Sequence, residues 1–142
     1  MIYRSFVAGM LAMALSSTAE AAAKGKPGPV PIATRALRDI TMDPAAVQFR
    51  DIITKGTLVC GKYNAKNSYG AYIGFKSFFF DTGMGQGFVS DGLVRFNSNG
   101  IIESGDSITN EVKKPNANAK EILDRLDKLG ADASAMAKRC DA

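Results

Sequence analysis

The sequence predicts an α+β domain, in which a small antiparallel sheet of about four strands carries N- and C-terminal helices packed on one of its faces. Two observations predict this fold class. Strand-forming segments separated by turn residues fill the middle of the chain, and a helical repeat of apolar residues follows them. The composition agrees with a globular domain, since 46% of the 142 residues are hydrophobic and 23% are charged.

The first 21 residues have the pattern of a secretory signal peptide. Arg4 gives a short positive start, residues 6–15 are an uncharged and mostly apolar run, and residues 19–21 have the small-x-small pattern of a cleavage site. The alternative, an uncleaved membrane anchor, would need roughly 20 apolar residues, and this run is shorter. We therefore expect a periplasmic or secreted protein with no transmembrane span after signal cleavage.

The residues after the signal peptide divide into an arm and one domain. Residues 22–33 are rich in Ala, Gly, Pro and Lys, which predicts a flexible N-terminal arm. Residues 34–142 are long enough for a single hydrophobic core. Within them, residues 34–42 predict a short helix. Asp43, as an N-cap, and Pro44, as a first helical residue, predict a further helical turn that opens the segment DPAAVQFRDI.

The stretch VCGKYNAKNSYGAYIGF, residues 59–75, predicts a β-hairpin. Its NAKN run consists of turn residues, and strand-forming residues lie on both sides, at 58–63 and 69–80. The alternative interpretation is a polar binding edge at the hairpin tip, because loops often carry function. The candidate binding residues are Asn64, Lys66, Asn67, Ser68 and Tyr69.

The middle of the chain continues with a glycine-rich segment and a second hairpin. Residues 81–92 have a G-x-G-x-G spacing and predict a flexible loop, because the features of a P-loop or a dinucleotide fingerprint are missing. Leu93 to Asn97 is strand-like, and Asn99-Gly100 predicts a tight turn into a return strand. Residues 104–118 are polar and predict a loop.

The last part of the domain is predicted to be helical. Ile122, Leu126 and Leu129 recur at helical spacing, and Gly130 predicts the end of that helix. Asp132 predicts the cap of a last short helix, in which Cys140 lies on the buried stripe.

Cys60 and Cys140 are the two cysteines of the chain. In an exported protein an even count predicts a disulfide. Such a bond would stabilise the fold by roughly 4 kcal/mol in the chain-entropy model. The alternative is a free reactive thiol, which would need a neighbour that stabilises the thiolate.

The chain contains no histidine, and this excludes several classes of site. Ser-His-Asp and Cys-His catalysis cannot occur within the chain, and a structural zinc site lacks ligands. No spacing of acidic residues selects a catalytic pair, so we predict no catalytic residue, no metal and no cofactor. The net charge of +4 is spread without long Lys/Arg runs, which argues against nucleic acid as a partner.

Two segments resemble a family of small exported bacterial proteins. The first is the D-P-x-[SA]-x-x-F-R run at residues 43–50. The second is V-C-G-x-x-N-A-K-N-S-[YF]-G-x-Y-x-G-F at residues 59–75, and Cys140 matches a cysteine that the family often has near its C-terminus. Members are usually described only as proteins of unknown function. The resemblance therefore implies export and a small domain, and it brings no catalytic residues with it.

The sequence favours an exported non-enzymatic domain, an envelope or secreted interaction protein whose partner is an unknown envelope or extracellular protein or surface. The alternative is a small-ligand-binding protein that uses the aromatic hairpin and the glycine-rich loop. Exposure of Tyr63, Tyr69 and Tyr72 would favour that alternative, and burial of their rings would exclude it. A third interpretation is an enzyme without histidine, such as a hydrolase that uses carboxylates or a Ser–Lys pair.

Overall fold

A six-stranded antiparallel sheet forms the centre of the computed structural model, which describes residues 26–142. The strands lie in the sheet in the order in which they occur in the chain. They are β1 (Gln48–Lys55), β2 (Leu58–Asn64), β3 (Lys76–Asp81), β4 (Gln86–Val89), β5 (Val94–Asn97) and β6 (Gly100–Glu103). The helices are α1 (Pro29–Asp39), α2 (Gly105–Asn110) and α3 (Ala119–Asp141), with single 3₁₀ turns at Pro44–Ala46, Asp91–Leu93 and Glu111–Lys113. The α+β class is confirmed, with six strands in place of about four.

The N-terminal helix begins earlier than the sequence predicts. Residues 29–33 were expected in the flexible arm, but they form the first turns of α1, and Ala33 is fully buried. Pro29 is compatible with this start because proline is tolerated in the first turn of a helix. The expected signal peptide, residues 1–21, lies outside the described residues, as do residues 22–25 of the expected arm.

The helices cover both faces of the sheet, so the expectation that the N- and C-terminal helices share one face is wrong. Successive strand residues point to opposite faces. Phe78 and Phe80 therefore pack with α1, whereas Phe79 packs with α3. The core on the α1 face consists of Ala33, Ala36, Leu37, Val47, Val59, Tyr63, Ala65, Phe78, Phe80, Val89 and Phe96. The core on the α3 face consists of Leu58, Cys60, Phe88, Ile108, Ile122, Leu129, Ala133, Met136 and Cys140.

The first missed strand is β1, which the sequence analysis assigned to a helical segment. Asp43 does cap a helical turn, and its carboxylate accepts a hydrogen bond from the backbone N–H of Ala46. The turn ends there, however, and Val47 is already extended. Pairing with β2 then outweighs the helical signal of the following residues.

The second missed strand is β4, which lies in the segment that was expected to be a flexible loop. Gly87 is a strand residue that pairs with Phe80. A Cβ atom at this position would lie 2.4 Å from the carbonyl oxygen of Phe79 and 2.7 Å from the Phe80 ring. This glycine therefore reflects close packing in the sheet rather than flexibility.

The C-terminal region contains more continuous helix than the sequence predicts. α3 runs through Gly130 without a break, so the two short helices expected there are one. The expected loop at 104–118 contains α2, whose Ser104 side chain accepts a hydrogen bond from the N–H of Ser107. The second hairpin is confirmed, although its turn residues are Ser98 and Asn99 because Asn97 pairs with Gly100.

A disulfide joins Cys60 of β2 to Cys140 of α3, as the cysteine count predicts. Their Cα atoms are 6.0 Å apart, within the usual range for a disulfide. Both cysteines belong to the core on the α3 face, so the bond fastens the far end of the last helix to a central strand.

Asp81 is a buried carboxylate, only 4% exposed, at the end of β3. It accepts hydrogen bonds from the backbone N–H groups of Gly83 and Met84, and it lies 2.9 Å from the guanidinium of Arg139 on α3. Burial by itself raises the pKa of this carboxyl. Hydrogen bonds from Thr57, Arg139 and the two backbone groups outweigh burial, so the pKa lies below its ordinary value. The ionised carboxylate thus holds the glycine-rich turn and α3 together.

We expect Gly130→Ala to raise the free energy of unfolding by about 0.5–1 kcal/mol, because alanine favours the helix interior over glycine. A Cβ atom at this position meets no other atom within 4 Å. Urea unfolding monitored by circular dichroism measures the change. Gly87→Ala is the contrasting variant and should destabilise the protein by roughly 1–3 kcal/mol through overpacking. A destabilising Gly130→Ala would contradict a continuous α3.

We expect Asp81→Asn to lower the free energy of unfolding at pH 7 by roughly 1–2 kcal/mol, because Arg139 loses its charged partner. The folded pKa of Asp81 is depressed, so its contribution is present above the unfolded pKa of about 4 and is lost as the pH falls through the folded pKa. The difference in the free energy of unfolding between the wild type and Asp81→Asn should therefore narrow below about pH 4. Urea unfolding measured at a series of pH values tests this.

The matched control for this series is Asp124→Asn, which changes an exposed carboxylate on α3. The free energy of unfolding of this variant should equal that of the wild type at every pH. An Asp81→Asn difference that stays constant down to pH 2.5 would show that the charge of Asp81 does not contribute.

Candidate functional site

The predicted first hairpin exists, but its strands are joined by a long loop instead of a tight turn. β2 ends at Asn64 and β3 begins at Lys76, and the two strands pair antiparallel. Residues 65–75, called the 65–75 loop below, were expected to divide between a turn and a strand. Gly70 and Gly74 have φ angles of 79° and 93°, a conformation that favours glycine and turns the chain out of the extended path of a strand.

Asn64 fixes the base of the 65–75 loop. Its side chain is buried, and its Oδ1 accepts a hydrogen bond of 3.0 Å from the backbone N–H of Gly74. Its amide nitrogen donates to the side-chain oxygen of Gln48 at 3.4 Å. One buried asparagine therefore joins β1, β2 and the returning end of the loop.

Asn67 fixes the tip of the loop. Its Oδ1 accepts hydrogen bonds of 3.0 Å from the backbone N–H groups of both Tyr69 and Ala71. Its own N–H donates to the carbonyl oxygen of Ala71 at 2.9 Å, and its carbonyl accepts from the N–H of Gly70. The turn residues of the NAKN run thus serve to close the loop on itself.

The two segments that carry the family resemblance contact each other. Asp43 lies 3.4 Å from the ammonium group of Lys66, and the hydroxyl of Tyr72 donates a hydrogen bond of 2.9 Å to the carbonyl of Ala46. The guanidinium of Arg50 stacks on the ring of Phe75 at 3.9 Å from its centroid. Residues 43–50 and the 65–75 loop therefore build one local unit.

Residues 68–75 form a continuous exposed segment on this unit. Tyr69 is 92% exposed and makes no side-chain contact that the fold requires. Tyr72, Ile73 and Phe75 are also exposed, although Tyr72 and Phe75 rest on neighbouring groups. Large aromatic and aliphatic side chains are thus held outward by a backbone that is fixed from within.

The five candidate binding residues divide into two groups. Asn64 and Asn67 are used inside the loop, and Lys66 pairs with Asp43. Ser68 and Tyr69 remain exposed to solvent. The sequence analysis did not include Ile73 and Phe75, because it placed them in a strand. Gly70 and Gly74, on either side of Ala71 to Ile73, were the signal for a loop at this position.

The tyrosines do not form the single exposed cluster that a small-ligand site would need. Tyr63 is only 8% exposed and packs edge-on against Phe78 in the core. Burial, with a smaller contribution from the charge of Asp91, raises the pKa of Tyr63 to about 12. Tyr69 and Tyr72 project from the loop instead.

The aromatic hairpin and the glycine-rich turn also lie too far apart to share one ligand. The 65–75 loop precedes Lys76 at one end of β3, and the turn that contains Gly83 follows Asp81 at the other end. Six strand residues span about 20 Å. The two features therefore lie at opposite ends of β3.

The groups with shifted pKa values do not suggest a catalytic centre. Tyr63 pairs with Lys76 and Asp81 pairs with Leu58, so the two shifted groups lie at opposite ends of the β2–β3 ladder.

Within residues 26–142, no three His, Cys, Asp or Glu side chains are grouped so that they could hold a metal ion. In the same residues, no helix is long and apolar enough to cross a membrane.

We expect Asn67→Ala to loosen the tip of the 65–75 loop without unfolding the domain. The substitution removes the side-chain acceptor of the Tyr69 and Ala71 N–H groups. If the free energy of local opening falls by about 1 kcal/mol, amide exchange at these two positions becomes roughly fivefold faster. Hydrogen exchange measured by NMR tests this. Ser68→Ala is the control and should leave both rates unchanged; equal rates in Asn67→Ala would contradict the role of the side chain.

Comparisons with protein-family models, with curated proteins and with solved structures find no match to this chain.

Proposed function

We propose that this chain is an exported, non-enzymatic protein that binds another envelope or extracellular protein through the 65–75 loop. One observation carries the proposal. Residues 68–75 are all exposed, while their backbone N–H groups donate hydrogen bonds to the side-chain oxygens of Asn64 and Asn67, which hold the backbone in place. A loop that is already ordered loses little conformational entropy when it binds, and more of the contact energy then appears as affinity.

The residue types of the loop support a protein partner. Tyr69, Tyr72 and Phe75 are aromatic, and tyrosine, serine, glycine and asparagine are the residues that antibody loops use for recognition. Tyrosine supplies a large contact area with few rotatable bonds, and aromatic residues are enriched among those that dominate binding energy.

Charged pairs adjoin this aromatic surface, since Arg50 stacks on Phe75 and Lys66 lies near the Tyr72 ring. Lys66 pairs with Asp43 on one side, and Asp51 lies 3.7 Å from Lys62 and 3.5 Å from Arg50 on another. An apolar centre with a polar, solvent-accessible rim is the usual arrangement of a protein–protein interface.

Export is supported by three features of different kinds. The first 21 residues have the signal-peptide pattern, the two motif segments resemble small exported bacterial proteins, and the disulfide between Cys60 and Cys140 is of a kind that forms and persists in oxidising compartments. A periplasmic or secreted location agrees with all three.

The non-enzymatic assignment is supported by the titratable groups of the chain. The chain has no histidine, and each of the two groups with a clearly shifted pKa is explained by a role in the fold. Tyr63 packs in the core, and Asp81 holds a turn and a helix.

We expect Tyr69→Ala to reduce capture of a partner at least roughly tenfold, because an exposed aromatic at the centre of an interface commonly contributes more than 1.4 kcal/mol. The tagged protein is crosslinked in its native cell envelope, and captured proteins are identified by mass spectrometry. The partner identified is then purified, and its Kd is measured with each variant.

The matched control is Leu123→Ala, which removes an apolar side chain that is 60% exposed on α3. Capture should be unchanged in this variant. The proposal fails if no protein is captured above background, or if Tyr69→Ala and Leu123→Ala lower the affinity equally.

A further inference from the structure

A second concave site lies between α3 and the β4–β5 part of the sheet. The cleft has a volume of about 310 Å³, within the range of small-molecule sites. Phe88 and Met136, both buried, form its floor, and the exposed side chain of Met84 forms part of its rim. Met84 belongs to the glycine-rich turn, so the cleft lies toward the Asp81 end of β3, away from the 65–75 loop.

Cationic groups dominate the polar part of the cleft. Arg95, Lys128 and Arg139 line it, and Asp132 is the carboxylate among its lining residues. Asp132 is already engaged, since its Oδ2 accepts a hydrogen bond of 2.6 Å from Arg95. Lys128 has no ion-pair partner within 4.0 Å anywhere in residues 26–142.

Two attachments fix α3 over the sheet on either side of Met136. Toward the N-terminus of the helix, Asp132 binds Arg95 of β5; toward its C-terminus, Cys140 is bonded to Cys60 of β2. Arg95 is itself positioned by Glu103, at 3.5 Å, and by the Phe88 ring beneath its guanidinium. The cleft is therefore formed before any ligand arrives, which lowers the entropic cost of binding.

We propose that this cleft binds a small organic anion with an apolar body, such as an aryl or short-chain carboxylate. The carboxylate binds the ammonium group of Lys128, and the apolar body lies against Met84, Phe88 and Met136. Arg139, farther along α3, is engaged by Asp81 at 2.9 Å, whereas the three N–H donors of Lys128 are available for charge-assisted hydrogen bonds to the ligand. This site is independent of the protein-binding loop.

The test uses the purified chain labelled with [methyl-¹³C]methionine and titrated with 4-phenylbutyrate. We expect saturable shifts of the Met84 and Met136 methyl signals, whereas Met42, which is 75% exposed outside the cleft, does not shift. The neutral amide of the same acid should bind at least roughly fivefold more weakly, because it cannot form charge-assisted bonds. Equal affinities for acid and amide would overturn the proposal.

Two lysine variants on the same helix separate a site from general charge attraction. Lys128→Gln should weaken 4-phenylbutyrate binding at least about fivefold, and Lys120→Gln, which lies outside the cleft, should not change it. The proposal is overturned if the two variants behave alike, if no saturable shift occurs up to about 10 mM acid, or if binding occurs without movement of the Met84 and Met136 signals.

Discussion

The burial of one central strand on both of its faces is the constraint on which this structure depends. Phe78 and Phe80 point to one side of β3 and Phe79 to the other, so neither side can be left to water. α1 covers the first side, and α3 with α2 covers the second. The disulfide follows from this layering, because α3 lies on the same face of the sheet as Cys60.

The sequence predicted those features that depend on local chemistry. Asp43 caps a turn, Cys60 and Cys140 are bonded, and a hairpin forms near Asn99 because short-range signals decide each of these. It did not predict β1 and β4, since pairing with the neighbouring strands outweighs the helical and loop signals of their own residues. The sequence analysis also placed the helices on one face, whereas the phenylalanines of β3 are divided between both faces and need cover on each.

Three of the five candidate binding residues, Asn64, Lys66 and Asn67, have partners within the fold. The NAKN run suggested a polar binding edge, and the structure shows that Asn64 and Asn67 direct their side chains inward to hold the loop. The exposed surface consists instead of Tyr69 and the residues after it. A sequence cannot separate these two groups by composition, because the same asparagine can cap a turn or face a partner. Only the hydrogen-bond partners distinguish the cases.

The order of the strands has a consequence for how the chain assembles. Each strand pairs with the one before it, so the sheet can grow in chain order from β1, and the 65–75 loop is the longest connection to close between strands. α3 follows all six strands, and Cys140 is 80 residues from its partner. Until α3 arrives, Cys60 is a free thiol, and the face with Leu58 and Phe88 lacks the cover that α3 provides. The interval between completion of the sheet and docking of α3 is therefore the period in which the newly made chain is most vulnerable to aggregation and to mispairing with other thiols.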